Sequence, residues 1–131
     1  MKKISHIGIA VADLQQSCKL FSKLLNKDFH TEHVSSESVT TAFFKMGDSK
    51  IELISSDQDD SAITKYLKKH KEGMHHLAID VDNIQNEIHR LKKEGFRFLN
   101  ETPKIGADNK LIVFLHPKDT NGVLVEICQS R

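Results

Sequence analysis

The residues with the clearest capacity for chemistry are two histidines and two glutamates at matching places in a repeated pattern. They are His6, Glu52, His76 and Glu126. Each histidine opens an alternating apolar stretch, "HIGIAV" or "HLAIDV", and each glutamate interrupts one, "KIELI" or "LVEIC". Two imidazoles and two carboxylates suit Zn²⁺, Ni²⁺, Co²⁺, Mn²⁺ or Fe²⁺. The two cysteines have no partner cysteine at metal-binding spacing, so the chain cannot build a thiolate cage.

An internal repeat relates the two histidines to each other and the two glutamates to each other. Adding 70 to the residue number places His6 on His76 and Phe44 on Phe114. An offset of 74 then places Glu52 on Glu126, and the added residues fall within "HPKDTNG", where a hairpin loop accepts insertions. The offset of 70 also relates two helical stripes with i, i+4, i+7 spacing. These stripes are Leu14, Cys18 and Phe21 in the first copy and Ile84, Ile88 and Leu91 in the second.

The repeat predicts an α+β fold made of two paired βαβββ modules. Module one covers about residues 4–56 and module two about 74–129, joined by a linking helix over about 61–72, within one domain spanning 1–131. Asp13, and Asp82 or Asn83, supply N-cap chemistry before the two module helices. We expect the modules to form a curved mixed sheet around a metal-binding cavity, with the helices on the outside.

Strand alternation predicts that the four candidate ligands share one face of the sheet. Side chains alternate between the two faces of a strand, so Ile7 and Ile9 point toward a helix while His6 points away. The same count places His76 on the inner face and its neighbour His75 on the other. A single histidine or glutamate in a strand is usually exposed or hydrogen-bonded. Two buried carboxylates on one concave surface, however, resist ionisation unless a cation compensates them, and a divalent metal resolves that conflict.

Composition argues against several other classes of function. A formal net charge of +1 without a basic tract gives a nucleic-acid partner little support. There is no run of about 18 apolar residues, so we expect no membrane span. The N-terminus is interpreted as a first strand and not as a signal peptide. Cys18 and Cys128 make no disulfide framework, and reduced thiols in the cytoplasm are the simpler expectation.

The repeated modules and the four candidate ligands resemble the vicinal oxygen chelate superfamily, which includes glyoxalase I, bleomycin resistance proteins and dioxygenases. The closer resemblance is to the methylmalonyl-CoA epimerase family. It rests on "ISHIGIAVADL", "KIELI", "GMHHLAIDVDNI" and "PKIGADNKLIVFLHPKDTNGVLVEI", and it extends from about residue 4 to residue 129. The string "FLHPKDTNGVLVE" behind "IGA" is the more specific epimerase-like element.

The resemblance implies one divalent metal, often Co²⁺, held by the four candidate ligands with two coordination sites open. It implies a homodimer that inverts C2 of methylmalonyl-CoA through a metal-stabilised enolate and a 1,1-proton transfer. Glu126 would be both a ligand and an acid/base. Some bacterial members have a glutamate where this chain has Thr41, which is a poor proton carrier. The second acid/base is therefore open between Glu37, whose simpler interpretation is a solvated loop carboxylate, and a metal-bound water.

Lys118 lies in the inserted stretch of the second module. One interpretation has this loop closing over the site and Lys118 binding an anionic part of the substrate. An ordinary proline-stiffened turn is an equal alternative.

Three other functions are compatible with this fold. A lactoylglutathione lyase of the glyoxalase I type would use similar ligands and a related proton transfer. A metal-free small-molecule-binding protein on the same scaffold would not need to retain all four ligand types. A ring-cleaving dioxygenase uses two histidines and one carboxylate on iron, so a fourth protein ligand would crowd the dioxygen position.

Overall fold

A computed structural model describes residues 1–131 and divides the chain into two compact units. The first unit is His6–His75, and the second unit joins Met1–Ser5 to His76–Arg131. The elements in chain order are β1 (Lys3–Ala10), α1 (Leu14–Leu25), β2 (His30–Val34), β3 (Val39–Met46), β4 (Ser49–Ser55), α2 (Ala62–His70), β5 (Gly73–Asp80), α3 (Ile84–Lys93), β6 (Lys104–Ile105), β7 (Lys110–Phe114) and β8 (Val125–Ser130). Short 3₁₀ helices cover Ser35–Glu37, Ala107–Asn109 and Pro117–Asp119.

The first unit has the predicted order of strand, helix and three strands, followed by α2. Its strands lie in the order β2-β3-β4-β1, with β1 parallel to β4 and the other neighbours antiparallel. The predicted linking helix is α2, and Ser61 caps it by accepting a hydrogen bond from the Thr64 N–H at 3.0 Å. A parallel pair needs a crossover connection, and α1 lies within that connection between β1 and β4.

The second unit repeats this topology. Its strands lie in the order β5-β8-β7-β6, with β5 parallel to β8 and β7 antiparallel to both of its neighbours. The N-terminal residues belong to this unit, since the Lys2 N–H donates to the Asp80 carbonyl at 2.8 Å and Lys110 Nζ donates to Ser5 Oγ at 3.0 Å.

Capping side chains begin the module helices where the sequence predicts. Asp13 accepts from the Gln16 N–H at 3.0 Å at the start of α1, and Asn26 ends α1 in the left-handed region with φ 53°. For α3 the two candidates resolve to Asn83, whose side chain accepts from the Asn86 N–H at 3.0 Å. No helix of this chain combines the length and the apolar composition that a membrane crossing requires.

The alternation of the strands is confirmed by the way each unit packs. In the first unit, Ile9 and Val11 pack with Cys18 of α1. In the second unit, Ile79 and Val81 pack with the α3 stripe, which consists of Ile84, Ile88 and Leu91. The opposite face of the second unit has a separate apolar cluster, which contains Ala78, Ile112 and Cys128.

The structure corrects the repeat by one residue in β3 and β7. Phe43 lies opposite Glu52, and Phe114 lies opposite Glu126, so Phe43 is the counterpart of Phe114. Phe44 instead lies on the helix-facing side of the sheet and is fully buried. The prediction that paired Phe44 with Phe114 is therefore wrong. Both phenylalanines occur in apolar runs, and a shift of one residue transfers a side chain to the other face.

Arg97 anchors the inserted loop of the second unit. Its Nη2 and Nε donate to the two carboxylate oxygens of Asp119 at 2.8 and 3.1 Å, and its backbone N–H donates to Oδ2 at 2.8 Å. The His116 N–H donates to the Arg97 carbonyl at 2.8 Å. The hydrogen bonds from the Arg97 side chain and backbone lower the pKa of Asp119 to about 2, because they favour the ionised carboxylate.

We predict that Asp119→Asn removes an acid-dependent part of the stability. The pKa of Asp119 is lowered in the folded chain, so its pairing stabilises the fold above about pH 4 and is lost as the pH falls toward about 2. Urea unfolding at about pH 6 and about pH 3 should give a smaller difference in the free energy of unfolding for the variant than for the wild type. Asp60→Asn, which removes an exposed carboxyl before α2, is the control. An unchanged difference in Asp119→Asn would contradict the prediction.

Candidate metal centre

The first unit brings His6 and Glu52 together on neighbouring parallel strands. In the register of β1 with β4, Glu52 lies opposite Gly8, two residues along from His6. The two side chains meet on the face away from α1, with His6 Nε2 3.6 Å from Glu52 Oε1. Both residues are buried, with 7% and 3% of their surfaces exposed. The small neighbours Gly8 and Ala10, which are also buried, leave this face uncrowded.

The second unit repeats the arrangement with His76 and Glu126. Glu126 lies opposite Ala78 in the register of β5 with β8, again two residues along from the histidine. His76 Nε2 is 3.8 Å from Glu126 Oε1, and both residues are buried. The neighbouring His75 ring instead contacts the Tyr66 ring, with a centroid distance of 4.7 Å. The prediction that His76 and not His75 lies on the inner face is therefore supported by the contacts of each ring.

An aromatic ring meets each of the two histidines edge-on. The centroids of His6 and Phe43 are 5.9 Å apart at an interplanar angle of 83°. Those of His76 and Phe114 are 6.2 Å apart at 88°. These contacts restrict the rotation of each imidazole and so help to fix the direction of its Nε2. Strand parity counted back from Glu126 points to Phe114, but the same count from Glu52 points to Phe44, so the role of Phe43 depends on the register between β3 and β4.

The donor set of these pairs fits a transition metal. A separation of 3.6–3.8 Å between imidazole nitrogen and carboxylate oxygen is longer than a hydrogen bond. It suits two ligands that each lie about 2.0–2.2 Å from one cation. A cation would also offset the cost of burying an ionised carboxylate. Within the second unit, His76 and Glu126 are two buried residues that could each offer one ligand atom to a metal ion.

Thr41 lies on the same face of the first unit as Glu52. It is 1% exposed and lies opposite Ile54 in the register of β3 with β4. Its Oγ1 donates to the Glu32 carbonyl at 3.5 Å. The structure thus places a hydroxyl, and not a carboxyl group, at this inner position. Glu37 is the last residue of a 3₁₀ helix and is half-buried.

A second polar cluster, which no motif in the sequence predicts, lies further along the inner face of the second unit. Lys110 Nζ is 3.1 Å from Asp80 Oδ1 and 3.0 Å from Ser5 Oγ. Cys128 Sγ lies 3.4 Å from the same Asp80 oxygen. Burial, and secondarily the charge of Glu126, raise the pKa of the Cys128 thiol to about 12. Cys128 is therefore a neutral hydrogen-bond donor and not a thiolate ligand at neutral pH.

Lys118 lies in the 3₁₀ helix of the inserted loop, and its side chain is exposed. Its backbone N–H donates to His116 Nδ1 at 3.2 Å. The loop is thus an ordered turn held at its base by the Arg97–Asp119 pair. A role for the Lys118 ammonium in binding substrate stays a prediction.

Comparison with known proteins identifies relatives over almost the whole chain. The model of the Glyoxalase/Bleomycin resistance protein/Dioxygenase superfamily matches residues 5–114. The mitochondrial methylmalonyl-CoA epimerase of Dictyostelium discoideum is 41% identical over 128 residues, covering 95% of this chain and 76% of that protein. The ethylmalonyl-CoA/methylmalonyl-CoA epimerase of Cereibacter sphaeroides is 36% identical over 130 residues, 97% of each chain.

A solved structure confirms the predicted fold class. A variant of the Streptomyces coelicolor methylmalonyl-CoA epimerase, in complex with 2-nitronate-propionyl-CoA, is 33% identical to this chain. It matches with a TM-score of 0.94 over 99% of this chain and 95% of that chain. This chain therefore belongs to the Glyoxalase/Bleomycin resistance protein/Dioxygenase superfamily and, within it, to the methylmalonyl-CoA epimerase family.

Proposed function

We propose that this chain catalyses the epimerisation of methylmalonyl-CoA. The observation that carries the proposal is the presence of two buried His–Glu pairs in a chain of this family, His6 with Glu52 and His76 with Glu126. The names of the relatives support the reaction, and the CoA derivative bound to the Streptomyces coelicolor enzyme supports a CoA thioester as the substrate.

We further propose that His6, Glu52, His76 and Glu126 together hold one divalent cation. The equivalence of the two pairs in the repeat supports a shared ion, since each pair supplies one imidazole and one carboxylate. Co²⁺ is the metal we favour, and Zn²⁺, Ni²⁺ or Mn²⁺ would suit the same ligands. When bound, the cation supplies Lewis-acid stabilisation of negative charge on the substrate oxygens.

Glu126 is the proposed acid/base. Its carboxylate would take the proton from the carbon between the thioester and the carboxylate of the substrate, and inversion requires a proton to return to the opposite face. The Thr41 hydroxyl is too weak an acid and too weak a base at neutral pH for that second transfer. Glu37 and a water molecule are the two candidates for it, and the side chain of Glu37 is already half-buried on the β2–β3 connection.

The remaining features of the proposal are a substrate contact of Lys118, the quaternary state and the cellular location. We propose that Lys118 binds an anionic group of the substrate, because its ammonium is exposed on an ordered loop. A homodimer and a cytoplasmic location complete the proposal, and the free thiols of Cys18 and Cys128 fit a reducing compartment.

The names of the relatives favour an epimerase over a glyoxalase I-type lyase. An absorbance assay with methylglyoxal and glutathione tests that alternative directly, and the retention of four buried ligand-type residues argues against a metal-free binding protein.

Deuterium exchange tests the proposed reaction. Metal-loaded protein in heavy water should incorporate deuterium at C2 of methylmalonyl-CoA, which NMR detects. Glu126→Gln should lower the exchange rate at least about 100-fold, because an amide oxygen can still act as a ligand but cannot accept the proton. Glu94→Gln, at the exposed end of α3, is the control and should exchange at the wild-type rate. Absence of exchange in the metal-loaded wild type would reject the epimerase proposal.

Two adjacent histidines provide a matched test of the metal site. His76→Ala should weaken Co²⁺ binding at least about 100-fold in calorimetric titration, because it removes a direct ligand. His75→Ala removes a ring that packs on Tyr66 and should leave the metal affinity unchanged. Equal metal affinities of the two variants would show that His76 is not a ligand.

A further inference from the structure

The ammonium group of Lys110 lies in the polar cluster on the inner face of the second unit. Only 13% of its side chain is exposed, and lysine is rarely buried to this extent without a partner. Its Nζ donates to Asp80 Oδ1 at 3.1 Å and to Ser5 Oγ at 3.0 Å. An ammonium has three N–H donors, so these two acceptors leave one donor for a ligand.

The acceptors hold this ammonium in a defined position. Cys128 Sγ lies 3.4 Å from the same Asp80 oxygen and 3.5 Å from the Ile79 carbonyl oxygen, so the thiol joins the Asp80 side chain to the backbone of β5. Asp80 and Ser5 are themselves buried. Fixed partners on a sheet suit a proton carrier, because a general acid must lie within reach of the atom that it protonates.

The strand register shows that the Lys110 side chain extends toward Glu126. Lys110 begins β7, where it lies opposite Ser130 of β8. Its ammonium instead contacts Asp80, which lies opposite Cys128. The side chain therefore reaches back along β8 by one alternate position. Cys128 and Glu126 are two residues apart on one face of β8, which corresponds to about 7 Å along the strand.

A spacing of this order suits two groups that act on opposite sides of one carbon atom. A reacting group lies about 3–3.5 Å from the atom that it attacks, so two such groups lie about 6–7 Å apart across that atom. The second unit thus supplies a carboxylate and an ammonium for the two sides, from Glu126 and Lys110. No motif in the sequence marks Lys110 for this role, because only the register of β5, β7 and β8 brings its ammonium to Asp80.

We propose that Lys110 is the second acid/base of the epimerisation, in the place for which the sequence suggested Glu37 or a water molecule. The inference rests on the function proposed above. The Glu126 carboxylate takes the proton from C2, and the electron pair of the broken C–H bond passes into the enolate. The Lys110 ammonium then donates a proton to the opposite side of C2 as that electron pair returns. In the reverse direction the Lys110 amine takes the proton, and the Glu126 carboxyl group returns one.

Deuterium exchange on each C2 epimer of methylmalonyl-CoA, measured separately on metal-loaded protein, tests this role. In Lys110→Arg the guanidinium keeps the charge beside Asp80 but does not release a proton at neutral pH. Epimerisation should fall at least about 100-fold. One epimer should still exchange its C2 hydrogen with heavy water and keep its configuration, because Glu126 remains in place. The other epimer should not exchange.

Two further variants separate proton transfer from packing. Lys110→Met combined with Asp80→Asn removes both charges of the pair and should give the same exchange of one epimer without inversion. Lys93→Arg, on the exposed side of α3, is the matched control and should epimerise at the wild-type rate. Calorimetric titration of Lys110→Arg with Co²⁺ should give an affinity within about twofold of the wild type, because Lys110 is not a proposed ligand.

The wild type distinguishes failure of this inference from failure of the proposed function. If the wild type exchanges neither epimer, the proposed function and the role of Lys110 are both rejected. If the wild type epimerises the substrate and the Lys110 variants do so at the same rate, the role of Lys110 is wrong and the proposed function stands. If both Lys110 variants lose the exchange of both epimers, Lys110 is a structural residue and the inference is also overturned.

Discussion

The parallel pairing of β1 with β4, and of β5 with β8, is the constraint on which the candidate site depends. In each case the histidine lies on the first strand and the glutamate on the second, two residues apart in register. Parallel neighbours require a crossover connection, which places a helix on one face and leaves the other face available for the histidine and the glutamate. Burying a carboxylate such as Glu52 costs several kcal/mol unless its charge is compensated, so the pairing has a chemical consequence. The topology brings each carboxylate to an imidazole, and that combination is suited to sharing a cation.

Local signals in the sequence predict most of this arrangement. Asp13 caps α1, the helical stripes pack where their spacing indicates, and strand alternation separates His76 from His75. Each of these features depends on residues that are close together in the sequence, so it can be predicted from one sequence. The pairing of Phe43 with Glu52 depends on the register between two strands, and an apolar run such as "TTAFFKM" does not define its own register. The Lys110–Asp80 contact is less accessible still to sequence reasoning, because it joins residues on β7 and β5 that only the folded sheet brings together.

The two copies differ in the length of the connection at the same end of the module, which is a longer loop in the second copy and a short turn in the first. The second copy has gained a loop, and the Arg97–Asp119 pair holds that loop with a carboxylate whose pKa of about 2 keeps it ionised at neutral pH. The first copy has only the turn around Gly47 between β3 and β4, and a cleft remains open beside Phe43. The two units therefore repeat the His–Glu pair but differ at this end of the module.

The two carboxylates on the inner face of the second unit, Asp80 and Glu126, have different neighbours. Asp80 lies beside Lys110, whose side chain also donates to Ser5 Oγ near the N-terminus. Glu126, two residues before Cys128 on the adjacent strand, lies beside the imidazole of His76. An ammonium next to Glu126 would repel an incoming cation, whereas a neutral imidazole can bind the same ion as the carboxylate. In the second unit Lys110 thus contacts Asp80 and not Glu126, which leaves Glu126 beside a side chain that can also bind a metal ion.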